Sequence, residues 1–294
     1  MGDAARVLAV LTAGPGALDG DHPGISPLDL GLLRGDAVFE SIRVYRGRPF
    51  RLGAHLVRLA HSAASLELTL PEGLEELAGR ALDAASAQDA ASAQDAVLRI
   101  VCTRGTETDL VPTAFAIVTE VPPEYEEQRR QGLRVALLTM AVDPLIRTAS
   151  PWLLPGVKTT SYAVNMAAQR AARSRGADDA VFIGLGGELL EAPTSNLWWR
   201  VGRTLYTPSL ELGILAGVTR AALLELAAPS GYRVVEGVFT REDLDQAEEA
   251  FLSSSTREVL AVVAVDGQPV GDRCPGPAAQ VLQAGLRRLA ERRP

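Results

Sequence analysis

The stretch Leu153-Leu154-Pro155-Gly156-Val157-Lys158-Thr159-Thr160-Ser161-Tyr162 is the natural starting point, because Lys158 is the only lysine in the chain. The 29 basic residues are 28 arginines and this single lysine. Arginine keeps its proton inside proteins, whereas a lysine amine in apolar surroundings can turn neutral and attack an aldehyde. Leu153, Leu154, Pro155 and Val157 offer such surroundings. The plain alternative is a solvated turn whose lysine is there by chance, so the reading depends on what accompanies it.

Outward from this segment, the chain alternates strands and helices. On the N-terminal side, Leu8–Thr12, Phe39–Tyr45, Val97–Thr103 and Thr113–Thr119 alternate or run apolar as strands do, and Gly53–Leu68 and Leu74–Ala87 carry apolar residues at helical spacing. The second helix runs into a tandem duplication, Ala84–Asp89 repeated as Ala90–Asp95, too short for a repeat fold and expected as a surface insertion. Val121-Pro122-Pro123 and the charged run Glu124–Arg130 interrupt the pattern. We therefore expect an N-terminal α/β domain over 1–122, a linker over 123–131, and a C-terminal α/β domain over 132–294 carrying the lysine.

On the C-terminal side, strands are expected at Leu133–Thr139, Ala180–Ile183, Leu197–Val201, Thr204–Tyr206, Tyr232–Phe239, Phe251–Ser254 and Val259–Val265. Helices are expected at Tyr162–Arg175, from Val218, and at Pro277–Arg292, with a short one capped by Thr240. Many strands joined by hairpins, with helices between them, predict two mixed α/β (α+β) domains rather than a doubly wound parallel sheet.

With 294 residues and 47% hydrophobic content, the chain can fill cores of that size. A net charge of -7 argues against nucleic acid and anionic membrane surfaces as partners. No apolar run is long enough to cross a bilayer and the N-terminus lacks the pattern of a secretory signal, so a cytoplasmic location is expected. Cys102 and Cys274 lie far apart, which indicates neither a disulfide framework nor a metal site.

Three chemical features accompany the lysine. Glu191 ends Gly187-Glu188-Leu189-Leu190-Glu191, a carboxylate on an apolar segment that needs a cationic or hydrogen-bonding partner if buried. Gly217-Val218-Thr219-Arg220 opens a helix, where free amides and a hydroxyl favour an anion, and Ser253-Ser254-Ser255-Thr256 offers a second cluster of hydroxyls and amides. Arg58 can add a charged fork. An amine, an acid and an anion cradle are the parts that pyridoxal 5'-phosphate requires: one to hold its aldehyde, one to keep its ring nitrogen protonated, one for its phosphate. Each is weak alone, since small polar residues at helix starts are usually caps.

Their order along the chain resembles the class IV aminotransferases of fold type IV. The resemblance runs from Gly35 to Gly267 and is carried by Gly35-Asp36-Ala37-Val38-Phe39-Glu40, His55-Leu56-Val57-Arg58-Leu59, Gly156-Val157-Lys158-Thr159, Leu190-Glu191 with Ser195-Asn196, and Gly217-Val218-Thr219-Arg220. It implies that Lys158 forms the Schiff base, that Glu191 partners the pyridine nitrogen, and that Arg58, the amides of Val218 and Thr219, and Ser255 or Thr256 hold the phosphate. Tyr162 would stand near the cofactor's phenolic oxygen. The family also implies a small-molecule substrate, an active site between two domains, and a homodimer.

Within that family, D-amino acid aminotransferases place a tyrosine where this chain has Phe39, and carry an Arg-Asn-His group after a turn that here continues Thr106-Glu107-Thr108-Asp109-Leu110. Branched-chain enzymes carry Asn-Tyr where this chain has Thr160-Ser161-Tyr162. The Arg34-Gly35-Asp36 entry and the Arg99–Gly105 strand and turn look more like 4-amino-4-deoxychorismate lyases, which release 4-aminobenzoate and pyruvate. Phe39, Arg43, Arg34 and Arg99 are then candidates to receive the substrate and its two carboxylates. An aminotransferase for branched-chain or D-amino acids, and a catalytically silent relative that binds a ligand, are the alternatives.

Overall fold

A computed structural model of the chain describes residues 5–13, 24–272 and 274–292. Two compact units emerge, Met1–Pro123 with Val157–Tyr162, and Glu124–Gly156 with Ala163–Pro294. In the first, β1 (Val7–Ala13), α1 (Leu30–Leu33), β2 (Ala37–Tyr45), β3 (Arg48–Pro49), α2 (Leu52–Ser65), α3 (Leu74–Gln88), α4 (Ala90–Ala93), β4 (Asp95–Thr103) and β5 (Thr113–Glu120) follow one another. They build a five-stranded antiparallel sheet in the order β1-β5-β4-β2-β3.

The alternation of β2 explains why the helices lie where they do. Val38, Ile42 and Val44 are fully buried and join a core with Leu59 and Ala63 of α2 and Leu77, Ala78 and Ala81 of α3. Glu40 falls on this same core-facing side and is also fully buried. Its partners come from α2, whose buried residues His55, Arg58, Leu59, Ser62 and Ala63 repeat at helical spacing. Arg58 donates to Glu40 through Nε (2.7 Å) and a terminal nitrogen (2.6 Å), and His55 Nδ1 lies 2.7 Å from the same carboxylate.

Val157–Tyr162 belongs to the first unit, which corrects the expectation that the lysine sits in the C-terminal domain. Main-chain pairing is the reason. Phe39 N–H donates to the Lys158 carbonyl (3.1 Å), Thr160 N–H donates to the Ala37 carbonyl (2.9 Å), and Val38 bridges Thr159. The Lys158 N–H donates to Ser62 Oγ (3.1 Å).

The expected linker is also corrected: Glu124–Gln131 forms α5, with acidic residues in its first turn and arginines in its last, as the helix dipole favours. The second unit continues with β6 (Leu133–Thr139), α6 (Pro144–Thr148), α7 (Ala163–Ser174), β7 (Asp179–Ile183), β8 (Glu191–Ala192), β9 (Ser195–Val201), β10 (Thr204–Pro208), α8 (Val218–Ala227), β11 (Arg233–Gly237), α9 (Arg241–Leu244), β12 (Glu249–Ser254), β13 (Glu258–Val265), β14 (Gln268–Pro269) and α10 (Pro277–Glu291). Its sheet runs β11-β10-β9-β12-β13-β6-β7, with β8 on β9 and β14 on β13. Parallel pairs (β10/β11, β13/β6, β6/β7) mix with antiparallel ones, so the α/β expectation with mixed sheets holds.

The duplication is not the surface insertion expected. Its first copy ends α3 and its second forms α4 and the start of β4, with Ala85 and Ala93 fully buried in the core of the first unit. Asp89 stops α3 and caps α4 by accepting from the Ser92 N–H (3.1 Å).

The buried cluster makes stability pH-dependent. Burial is the strongest influence on Glu40 and raises its pKa, but the bonds from Arg58 and His55 outweigh it and bring the carboxyl from 4.5 down to about 2. Burial pushes His55 below its usual 6.5, against the pull of Glu40. Both groups have folded values lower than unfolded ones, so each contributes stability at higher pH that is lost as the unfolded chain takes up its proton first. Urea unfolding followed by far-UV circular dichroism should weaken as pH falls through 6.5, and weaken further between 4.5 and 2. His55→Asn should remove the first decline and keep the second.

Candidate active site

Two aromatic rings stand beside the lysine amine in the first unit. Lys158 Nζ lies 4.2 Å from the centre of the Phe39 ring and 5.7 Å from that of Tyr162, and the two rings meet edge to face at 5.3 Å. Such contacts favour a cation over an aromatic face and keep water from it. Leu153, expected to shield the amine, is instead 41% exposed, and the apolar groups beside the amine are the rings of Phe39 and Tyr162. Arg99 on β4 sits 5.8 Å from the Phe39 ring centre and reaches Ser41 Oγ at 3.4 Å. Phe39, Ser41 and Arg99 share the sheet face opposite the helices, since Ser41 and Arg99 are direct cross-strand partners.

Arg58 lies on the other side of β2, held by Glu40 as described. Ser62, one turn further along α2, holds the main chain of Lys158. One helix face thus carries both Arg58 and the anchor of the lysine.

Arg43 and Arg34 do not join this group. Arg43 is buried and donates to Asp95 through Nε (3.0 Å) and a terminal nitrogen (2.7 Å), with its guanidinium 5.4 Å from the Tyr45 ring centre. Four residues of extended strand separate it from Phe39, about 13 Å. Arg34 is an exposed residue that closes α1 by donating its N–H to the Leu30 carbonyl (2.8 Å).

In the second unit, Glu191 finds the partners its position demanded. The Leu215 N–H donates to Glu191 Oε1 (3.0 Å) and Asn196 Nδ2 donates to Oε2 (3.1 Å). Asn196 Nδ2 also donates to the Leu215 carbonyl (2.9 Å), tying the acid to the loop before α8. Burial lowers the pKa of Arg147, and the Glu191 charge opposes that, so a guanidinium senses this carboxylate as well.

The same loop ends at Gly217, the N-cap of α8, which has no side-chain cap. A Cβ at residue 217 would run into Asn196 Oδ1, so glycine is required here by close approach and not by its torsions. Val218 and Thr219 open the helix as buried residues, and an uncapped helix start turns its amides toward an anion. Ser255 and Thr256 lie in the turn between β12 and β13. Arg257 pins that turn by donating to Asp179 Oδ2 (2.8 Å), Thr194 Oγ1 (2.9 Å) and Ser195 Oγ (2.9 Å).

Glu40, His55, Ser62, Asn196 and Arg257 therefore support the expected residues without having been assigned roles from sequence. For Glu40 a signal was present: a carboxylate at a core-facing position between Val38 and Ile42, with His55 and Arg58 three apart on a helix. For Arg257 there was none, because its partners come from two segments distant in sequence, at Asp179 and at Thr194-Ser195.

Comparison with known proteins identifies the family. The profile of the family described as amino-transferase class IV matches residues 37–265. A bifunctional aminodeoxychorismate lyase / D-amino acid transaminase from Mycobacterium tuberculosis is 35% identical over 263 residues, 85% of this chain and 91% of that protein. A fold IV transaminase from Curtobacterium pusillum superposes with a TM-score of 0.86 at 33% identity, covering 96% of this chain and 97% of the other. A hypothetical aminotransferase from M. tuberculosis, solved with pyridoxal phosphate bound, gives 0.86 at 32% identity, covering 96% and 99%. No helix among the described residues is long and apolar enough to cross a membrane. The chain belongs to the class IV aminotransferases, enzymes of fold type IV that use pyridoxal phosphate.

Proposed function

We propose that the chain is a 4-amino-4-deoxychorismate lyase that releases 4-aminobenzoate and pyruvate. The observation that carries this reading is the face made by Phe39 and Arg99 beside the Lys158 amine: an apolar ring surface next to a guanidinium suits a cyclic substrate bearing carboxylates. Phe39 has no hydroxyl to offer a small amino acid's carboxylate. The named activity of the M. tuberculosis relative supports the same reading.

The residues present fit the cofactor. Lys158 would hold its aldehyde, Glu191 its ring nitrogen, and Arg58, the amides of Val218 and Thr219, and Ser255 or Thr256 its phosphate, with Tyr162 near its phenolic oxygen. When bound, the cofactor would supply an aldehyde for the substrate amine and an electron sink for the neighbouring carbon. Lys158 Nζ then takes the proton from the ring carbon bearing the amine and returns one to the departing enolpyruvyl group, so the substrate's atoms divide between the two products with no other reactant. Aromatisation drives the step. Glu191, oriented by the Leu215 N–H and Asn196 Nδ2, would accept from the ring nitrogen and keep it protonated. Phe39 and Tyr162 keep water from the amine.

A D-amino acid transaminase is the second reading, favoured by the other half of that relative's name. On either reading we take the enzyme to be a homodimer, as the family resemblance implies.

Borohydride reduction of the purified protein followed by digestion should place the cofactor on the Lys158 peptide, and Lys158→Ala should be colourless. Pyruvate release from 4-amino-4-deoxychorismate should exceed amino transfer from D-alanine or leucine to 2-oxoglutarate; amino transfer without pyruvate release would sink the lyase assignment. Glu191→Gln should keep the cofactor but slow turnover by about a hundredfold or more, measured as kcat. Gly217→Ala should destabilise the fold by about 1–3 kcal/mol in urea and weaken cofactor retention on dialysis, because its Cβ displaces Asn196.

A further inference from the structure

Glu40 is an odd choice for a core position. A buried ion pair is seldom more stabilising than apolar residues of the same shape, so a carboxylate between Val38 and Ile42 calls for a purpose beyond holding the sheet to its helix. Its geometry suggests one. Glu40 Oε1 accepts from Arg58 Nε and Oε2 from a terminal nitrogen, a two-pronged grip on one edge of a planar group that leaves the guanidinium no freedom to turn. His55, fully buried and kept neutral by its burial, donates from Nδ1 to Oε2 and so fixes the carboxylate in turn. Ser62, on the same face of α2, holds the main chain of Lys158, so Arg58 and the lysine are set against one rigid element.

The geometry points to Glu40 as a positioning residue for the cofactor phosphate: its carboxylate, steadied by His55, aims the Arg58 guanidinium at that phosphate. This rests on the assignment of Arg58 to the phosphate made above.

The sign of the effect separates this role from two simpler ones. A bystander carboxylate repels a phosphate dianion, so neutralising it would tighten phosphate binding. A strut that merely holds α2 would, when weakened, affect every ligand of the site alike. A positioning residue, when lost, weakens the phosphorylated ligand alone.

The test is to strip the full-length protein of cofactor and titrate it with pyridoxal phosphate and with pyridoxal, which lacks the phosphate, comparing the two Kd values. Glu40→Gln should lower pyridoxal phosphate affinity about tenfold or more and leave pyridoxal within about twofold. Arg58→Met should do the same, and the double variant should be no worse than Arg58→Met alone. An unchanged or increased preference for the phosphorylated ligand in folded Glu40→Gln overturns the proposal. If Arg58→Met leaves the preference intact, the phosphate assignment of Arg58 fails and the role of Glu40 fails with it, a result distinct from failure at Glu40 alone. Should Glu40→Gln not fold, His55 decides: His55→Asn keeps a donor near the Nδ1 position and should retain the preference that His55→Leu loses, whereas equal preferences in these two variants overturn the proposal.

Discussion

The site depends on a short piece of main-chain pairing. Residues 158–160 lie more than a hundred positions after β2 in the sequence, yet they return to it through Phe39 N–H to the Lys158 carbonyl and Thr160 N–H to the Ala37 carbonyl. These bonds are between backbones, so they fix where the lysine begins whatever its side chain does. They also set Phe39 beside it. The ring that shields the amine and the strand that anchors its backbone are the same element, and the other face of that strand presents Glu40 to Arg58. A single strand thereby orders the lysine amine on one side and a guanidinium on the other, because successive side chains of a strand point in opposite directions.

Much of this was legible in the sequence. Strands such as Leu133–Thr139 appeared where apolar runs and turn residues put them, and α8 began at Val218 after a glycine, because these are local signals. Lys158 and Glu191 stood out by composition and by the apolar segments that carry them. What stayed hidden was long-range. Nothing near Lys158 says that its segment pairs with the first sheet, and a run of charged residues after two prolines resembles a linker until its helix is seen against β13. Arg43 looked available because its partner, Asp95, lies 52 residues away. Arg257 looked ordinary because its three acceptors belong to β7, to the turn before β9 and to the first residue of β9.

The second unit orders its groups by a different device, a loop rather than a strand. Leu215 meets Glu191 and Asn196 through both of its main-chain groups, and two residues later the same loop becomes the head of α8. An acid and a set of helix amides are thus joined by a few residues that cannot move independently. The family is plain while the reaction is not, because a fold carries many reactions and the choice among substrates falls to a few side chains; in the reading proposed above, these are Phe39 and Arg99.

The doubled hexapeptide shows how little a sequence fragment owns its shape. Identical letters finish one helix and cap the next in the first copy, then make that helix and enter a strand in the second. The two terminal aspartates are as divergent: Asp89 is held by Arg6 and Asp95 by Arg43. A chain carrying one copy would have a single such carboxylate for two guanidiniums, one just ahead of β1 and one on β2. The repeat, once fixed, has made itself hard to lose, since each half has acquired a separate dependent.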